Sequence, residues 1–262
     1  MDSPRASHCC CGGGLAMLEA RGLRKAFGAL EVTRDVSLMV PEGARHAVVG
    51  PNGSGKTTLF NLLTGELQPD EGRVLLNGRD VTARPPDARA RAGLTRSFQK
   101  NNLFMDLTVR ENLALAVGIG ERLGTVFWRR FERMPGLFAR AEALGERVRL
   151  GEVLDLPVRT LPYGTQRQLE VGLALAIEPK VLLLDEPTAG MSAEETQAMT
   201  ALIAGLPPEI AVLIIEHDME VVFEIAERVT VLDYGSILAE GTPQEVRATE
   251  VVRRRYLGER AG

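Results

Sequence analysis

Cysteine is scarce: the chain has three, all in the run Cys9-Cys10-Cys11. No disulfide can staple the rest of the fold, which fits a reducing compartment. Beside His8, three adjacent cysteines lack the ligand spacing of a closed zinc site. The segment from Met1 to Ala16 has no apolar core of a secretory signal and reads as a disordered extension. Long apolar runs are missing too. Ile210 to Ile215 is among the longest, far short of the about 18 residues that a membrane helix needs. A role at a membrane would require another chain to bring this one there. An excess of basic charge is also lacking, since the net charge is −4 and Lys and Arg are spread along the sequence. A nucleic-acid footprint is therefore not expected. No internal repeat is found. The remainder is ordinary for a globular protein, with 45% hydrophobic and 25% charged residues. At 262 residues the chain can form one large domain with a substantial core, burying up to roughly 75% of its unfolded surface.

What is present is concentrated first in Gly50-Pro51-Asn52-Gly53-Ser54-Gly55-Lys56-Thr57. This is G-x-x-x-x-G-K-[ST], the phosphate-binding P-loop. Ala47-Val48-Val49 before it is apolar and β-branched, as a buried strand should be, and Thr58-Leu59-Phe60-Asn61-Leu62-Leu63 after it can open a helix. Glycines allow a tight turn whose N–H groups converge on one point. The helix N-terminus adds positive partial charge there. Lys56 can reach the β- and γ-phosphates of a nucleotide, and Thr57 can hold Mg²⁺.

Around this motif the chain reads as an α/β core with an insertion. Residues 18 to 49 read as short strands with turns. Arg73-Val74-Leu75-Leu76 ends at Asn77-Gly78, a strong hairpin signal. From about Pro86 to Glu152, and on to about residue 164, the sequence becomes rich in Arg, Ala and Leu at helical spacing. That stretch reads as an inserted helical lobe. Within it, Trp128-Arg129-Arg130-Phe131-Glu132-Arg133 is taken as a solvated helix face with two core aromatics rather than a membrane- or partner-facing element. Strand signals return at Val181-Leu182-Leu183-Leu184, Ala211 to Ile215 and Arg228 to Leu232. Helical stretches lie between them at Ala193 to Ala204 and Met219 to Glu227. Alternating strand and helix predicts a mostly parallel sheet. Residues 17–262 are expected to form a single nucleotide-binding domain.

Carboxylates mark the strand ends. Asp185 and Glu186 follow Leu184, where open α/β sheets bind ligands. Asp185 is placed to bind Mg²⁺, directly or through water, and Glu186 to polarise an attacking water. Glu216-His217-Asp218 repeats the pattern after Ile215, and His217 is within reach of a γ-phosphate.

The order of P-loop, Ser97-Phe98-Gln99, Leu161-Pro162-Tyr163-Gly164-Thr165-Gln166-Arg167-Gln168, Val181 to Glu186 and Glu216-His217-Asp218 resembles an ABC transporter ATPase subunit from about Leu18 to Glu259. The resemblance implies a P-loop ATPase core with an N-terminal antiparallel β-subdomain and an inserted helical lobe. It implies head-to-tail dimers, with each ATP between the P-loop of one subunit and the signature motif of the other. Phe27 then corresponds to the aromatic that stacks on adenine. Gln99 matches the loop glutamine that touches Mg²⁺ and senses the membrane partner. Leu161 to Thr165 matches the signature motif, and Ala189-Gly190-Met191-Ser192 the loop joining the two active sites. Pro162 stands where the family has a serine hydroxyl for the opposing γ-phosphate. Tyr163 replaces the first signature glycine and Thr165 the glutamine. Contact must then come from backbone N–H groups and the helix start near Gly164.

Leu94 to Gln99, Leu107 to Asn112, Tyr163 to Arg167, Asp185 to Met191, Asp233-Tyr234-Gly235 and Tyr256 to Glu259 are similar to the ATPases of branched-chain or hydrophobic amino acid importers. The likeness is to their longer type, with an extended segment near Gly118 to Gly145. It implies a motor on the cytoplasmic face of the membrane. Its partners would be a second ATPase chain, two permease subunits and, indirectly, a substrate-binding protein. ATPases of urea, amide or aromatic acid import, or of lipopolysaccharide export, remain as alternatives. A soluble ABC protein acting on ribosomes or DNA fits less well, because such chains carry two cassettes or long coiled-coil arms.

Overall fold

The computed structural model describes residues 16–97, 103–120 and 135–256. The cysteine-bearing extension, Gln99 and the Trp128 segment lie outside the described residues. Two sheets and a helical lobe make up the described part.

The first strands are β1 (Ala16–Phe27) and β2 (Leu30–Pro41), followed by β4 (Glu71–Leu76) and β5 (Arg79–Asp80). They pair antiparallel in the order β2-β1-β4-β5. In β2, Val36, Leu38 and Val40 are buried and alternate with exposed neighbours. One face of this sheet therefore meets the core and the other meets solvent. Asn77 and Gly78 have φ of 48° and 71°. Two successive positive φ values make the tight turn that asparagine and glycine favour.

The second sheet is built from β3 (Arg45–Val49), β6 (Leu94–Arg96), β7 (Val181–Asp185), β8 (Ala211–Ile215), β9 (Arg228–Asp233) and β10 (Ser236–Gly241). Its order is β10-β9-β3-β8-β7-β6. Pairing is parallel from β9 to β6, and β10 closes the edge antiparallel. Every residue of β3, β7 and β8 is buried. Continuous burial matches the apolar stretches Ala47-Val48-Val49, Val181 to Leu184 and Ala211 to Ile215 and means that both sheet faces are covered. β7 divides its side chains accordingly. Val181 and Leu183 pack with α1 (Lys56–Thr64) and the antiparallel sheet, whereas Leu182 and Leu184 pack with the helical side.

That helical side comprises α3 (Val109–Gly120), α4 (Pro135–Arg147), α5 (Tyr163–Leu175) and α6 (Ala193–Ala204). Two further helices, α7 (Met219–Ile225) and α8 (Pro243–Ala248), cover β9, and α9 (Glu250–Tyr256) ends the described chain. The lobe begins later than its composition suggests. The helix α2 (Pro86–Arg91) leads into β6, which pairs with β7 in the main sheet. Residues 86–97 thus belong to the core, and the lobe proper follows them.

Two buried arginines fix the ends of core elements. Arg89 is fully buried and donates to the carbonyls of Leu62 and Leu63 at 2.7 and 2.6 Å, near the C-terminus of α1. A cation there satisfies carbonyls that the helix leaves unpaired. Arg45 does the same for Ile210 and Leu206, at 2.6 and 2.7 Å. Among the described residues no helix is long and apolar enough to cross a membrane.

Candidate functional site

The site lies at the C-terminal ends of β3, β8 and β7, three neighbouring parallel strands. Register explains why. Val48 aligns with Ile215, and Ile215 aligns with Asp185. The residues that follow β3, β8 and β7 therefore emerge at one sheet edge: the P-loop, Glu216-His217, and Asp185-Glu186.

Backbone geometry forms the P-loop. Gly55 precedes α1 with φ of 101°, and a Cβ there would lie 2.7 Å from the Val32 carbonyl oxygen. A Cβ on Gly50 would lie 2.2 Å from the Leu232 carbonyl oxygen. Only glycine fits either position. The loop is further anchored by a hydrogen bond of 3.0 Å from Gly235 N–H to the Ser54 carbonyl.

Lys56 is folded over its own loop. Its Nζ donates to the carbonyls of Gly50 at 2.7 Å and Pro51 at 2.9 Å. Burial lowers its pKa below the usual lysine value, while Glu186 and then Asp185 oppose that shift. Those opposing charges tie the P-loop lysine to both carboxylates. Ser54 Oγ is buried and makes no hydrogen bond. An orphaned hydroxyl in a glycine-rich loop at a helix start suits an anionic ligand. Thr57 is exposed at the start of α1, with its hydroxyl open to a cation. Among the described residues no group of three His, Cys, Asp or Glu side chains is placed to hold a metal. A divalent cation here would depend on phosphate oxygens as well as Thr57 and Asp185.

Asp185 is buried, and its Oδ2 accepts from Arg96 Nη2 at 2.5 Å. Glu186 follows with φ of +44°, a strained value for a side chain of this size. Its N–H donates to the Ile215 carbonyl at 2.9 Å, and its carbonyl accepts from Arg167 Nη2 at 3.1 Å. Two long-range bonds thus hold the turn that aims Glu186. Arg167 in turn pairs with Glu170 at 2.7 Å, a carboxyl whose pKa burial pushes up and Arg167 pulls back.

Glu216 is fully buried. Its Oε1 accepts from Thr188 N–H at 3.1 Å and from Thr188 Oγ at 2.6 Å, and its Oε2 accepts from His217 N–H at 3.1 Å. It braces the segment after Glu186 against the end of β8. His217 leaves its side chain 62% exposed, with Nδ1 3.7 Å from Glu216 Oε2. It is open to a ligand rather than packed into the core. Phe27 sits at the end of β1, half-exposed, with Lys25 Nζ 5.9 Å from its ring centroid. The partner strand β2 brings Val32 against the P-loop, so the aromatic stands on the same ribbon.

The turn at Leu161 to Thr165 lies elsewhere, at the start of α5. Leu161 is buried, Pro162 and Tyr163 are exposed, and Gly164 is buried. Gln166 Nε2 holds the Leu161 carbonyl at 2.9 Å. Gly164 N–H donates to Glu195 Oε1 at 2.9 Å. Glu195 also accepts from Ser192 N–H at 2.9 Å, completing the capping box of α6. One carboxylate therefore serves two helix starts. Bonds from Ser192 first and Gly164 second hold its pKa below the usual glutamate value. Sequence reading did not single out Arg96, Arg167, Glu195 or the bracing role of Glu216. Glu195 alone had a local signal, the Ser-x-x-Glu capping box.

Comparison with known proteins gives the family and the fold. Residues 33–189 match the family described as ABC transporter. The chain is 40% identical over 253 residues to the high-affinity branched-chain amino acid transport ATP-binding protein BraF of Pseudomonas aeruginosa, covering 93% of this chain and 98% of that protein. It is 38% identical over 252 residues to LivG of Escherichia coli K12, which carries the same description, with the same coverage. A crystal structure of an ATP-binding cassette of an ABC transporter in its ADP conformation superposes with a TM-score of 0.81 at 30% identity, covering 93% of this chain and 99% of that one. With the P-loop, the carboxylates at the strand ends and the separate turn on the helical lobe in place, the chain belongs to the ABC transporter family, as one of its ATP-binding cassettes.

Proposed function

We propose that this chain binds and hydrolyses ATP as the motor subunit of an importer of branched-chain or other hydrophobic amino acids. It works on the cytoplasmic face of the membrane, docked to two permease subunits that a substrate-binding protein supplies. It pairs head to tail with a second cassette. The observation that carries the reading is that the P-loop with Lys56, after β3, and Asp185-Glu186, at the end of β7, emerge at the same edge of one parallel sheet, with only β8 between the two strands. The 40% identity to BraF across nearly the full length supports the transport assignment.

Each residue has a task in this reading. The N–H groups of Gly53 to Thr58 and the start of α1 cradle the phosphates. Lys56 exchanges the carbonyls of Gly50 and Pro51 for β- and γ-phosphate oxygens. That exchange offsets the cost of burying its charge. Thr57, Asp185 and Gln99 would hold Mg²⁺, which when bound supplies neutralising charge for the phosphates. Glu186 takes the proton of the attacking water, and the fixed backbone around it sets its direction. His217 donates to the γ-phosphate from the end of β8. Phe27 stacks on the adenine. Gly164 of the partner subunit's cassette closes the site through its N–H.

The test is uptake. In cells lacking this gene, leucine, isoleucine and valine uptake should fall and be restored by the wild-type gene but not by Glu186→Gln. Unchanged branched-chain amino acid uptake in the deletion strain would remove the substrate assignment and leave the ATPase reading standing.

A further inference from the structure

Asp185 is the acidic group to which the proposed function gives the metal, and a cation already lies against it. Arg96 ends β6, the strand beside β7, with Arg96 level with Leu183. Its side chain therefore runs past the strand end to reach Asp185 Oδ2 at 2.5 Å. The other amino group is held by Asn61 Oδ1 of α1 at 2.7 Å and by Glu66 at 3.3 Å. The guanidinium lies 5.8 Å from the Phe60 ring centroid. The side chains of Arg96 and Asp185 are only 9% and 3% exposed. This is a cation clamped by the P-loop helix and pressed on one oxygen of the buried aspartate.

We infer that Arg96 is the resident counter-ion of Asp185, standing in for the metal when no nucleotide is bound and raising the Mg²⁺ concentration that the site needs. The inference rests on the nucleotide reading above. A carboxylate at this depth is costly without nearby positive charge, and Arg96 supplies a full charge in direct contact with it. A dication held by Asp185 would meet the fixed positive charge that Arg96 places 2.5 Å from Oδ2 of the same carboxylate. It gains less from an aspartate that is already paired. Arg96 thus stabilises the nucleotide-free state and weakens metal binding by the same interaction. A purely orienting arginine would act in the opposite sense, since its removal would loosen Asp185 and weaken the metal.

The experiment titrates Mg²⁺ against binding of a fluorescent ATP analogue and records nucleotide-free melting temperature. Arg96→Met keeps the stem over Phe60 and removes the charge. It should melt several degrees lower without nucleotide and reach half-maximal analogue binding at a Mg²⁺ concentration about fivefold lower or less, the low end of coupling between sites. Arg96→Gln, which can still bridge Asp185 and Asn61, should show the same shift in Mg²⁺ dependence and serves if the methionine variant does not fold. Arg96→Lys retains the charge and should stay within about twofold of wild type. An unchanged or increased Mg²⁺ requirement in both neutral variants overturns the inference. Failure of the wild-type protein to bind the analogue at any Mg²⁺ concentration would overturn the nucleotide reading itself, and this inference with it.

Discussion

The P-loop and the turn at Leu161 to Thr165 are both helix starts with converging N–H groups, yet they are left in opposite states. At the P-loop the polar groups are bonded within the loop or not at all, with Ser54 N–H donating to the Pro51 carbonyl at 3.2 Å. Ser54 Oγ is buried without a partner, and Lys56 rests on carbonyls of its own loop. At the other turn the donor is taken, because Gly164 N–H is bonded to Glu195 of the same chain. The difference follows from their settings. The P-loop is wedged between β2 and β9, where glycines admit the close carbonyls of Val32 and Leu232. The signature turn rides on the lobe and meets the surface turn before α6. One site is preset for an anion; the other carries an internal carboxylate in the place of one. In the proposed dimer, Gly164 must exchange Glu195 for the partner's γ-phosphate or share itself between them.

The largest expected effect on nucleotide binding breaks the first half of this comparison. Lys56→Ala removes the one mobile cation of the open site, so ATP affinity should fall by at least about tenfold, the scale of a single charged contact to a phosphate. Equilibrium binding of a fluorescent ATP analogue measures it, and an unchanged affinity would detach Lys56 from the site. Next comes Gly164→Asp. A Cβ at Gly164 would lie 2.6 Å from Glu195 Oε1, and the added carboxylate would face both Glu195 and the opposing phosphate. In a Glu186→Gln background this variant should bind ATP but elute as a monomer in size-exclusion chromatography with ATP. Elution as a dimer would show that the turn is not the opposing half of the site.

A third effect tests the anchoring of the P-loop in the core. His46 lies in β3, fully buried, with Nε2 2.8 Å from Thr230 Oγ. Burial first and Arg228 second push its pKa down to about 3. An unfolded histidine titrates near the usual 6.5, so between those values the unfolded chain binds the extra proton. Stability is then full above pH 6.5 and declines toward pH 3 by about 1.4 kcal/mol per pH unit. His46→Gln should lose about 2 to 3 kcal/mol less than wild type between pH 7 and pH 4.5 in urea unfolding. Parallel losses would mean that His46 is not the titrating group. The smallest effect concerns the capped turn. Glu195→Ala removes one carboxylate from two helix starts, so the melting temperature should fall slightly. ATP-dependent dimerisation, freed of an internal competitor, should need less ATP. A higher ATP requirement would show that Glu195 organises the turn for the partner rather than occupying it.

Much of this was legible in the sequence because it is local. The P-loop, the apolar runs of β3, β7 and β8, the Asn77-Gly78 turn and the helix from Ala193 to Ala204 are each written in consecutive residues. The strand β6 escaped because three residues carry no periodicity, and the boundary of the lobe moved with it. The pairs that tune the site escaped for another reason. Arg96 and Asp185 are 89 residues apart, and Gly164 and Glu195 are 31 apart. Arg96 stands in the Leu94 to Gln99 stretch that carries the resemblance, but nothing in that stretch points to a contact with Asp185. Only the sheet order, which places β6 beside β7, brings it to the aspartate.

In the proposed function Glu186, aimed by a strained turn beside the phosphate cradle, drives hydrolysis. The most direct measurement is single-turnover ATP hydrolysis by Glu186→Gln, with ATP binding recorded on the same sample. Binding should be unaltered, an ATP-bound dimer should accumulate and hydrolysis should slow by at least about 10²-fold, an ordinary loss for a general base. Hydrolysis at the wild-type rate with binding intact would contradict this role and place the base elsewhere.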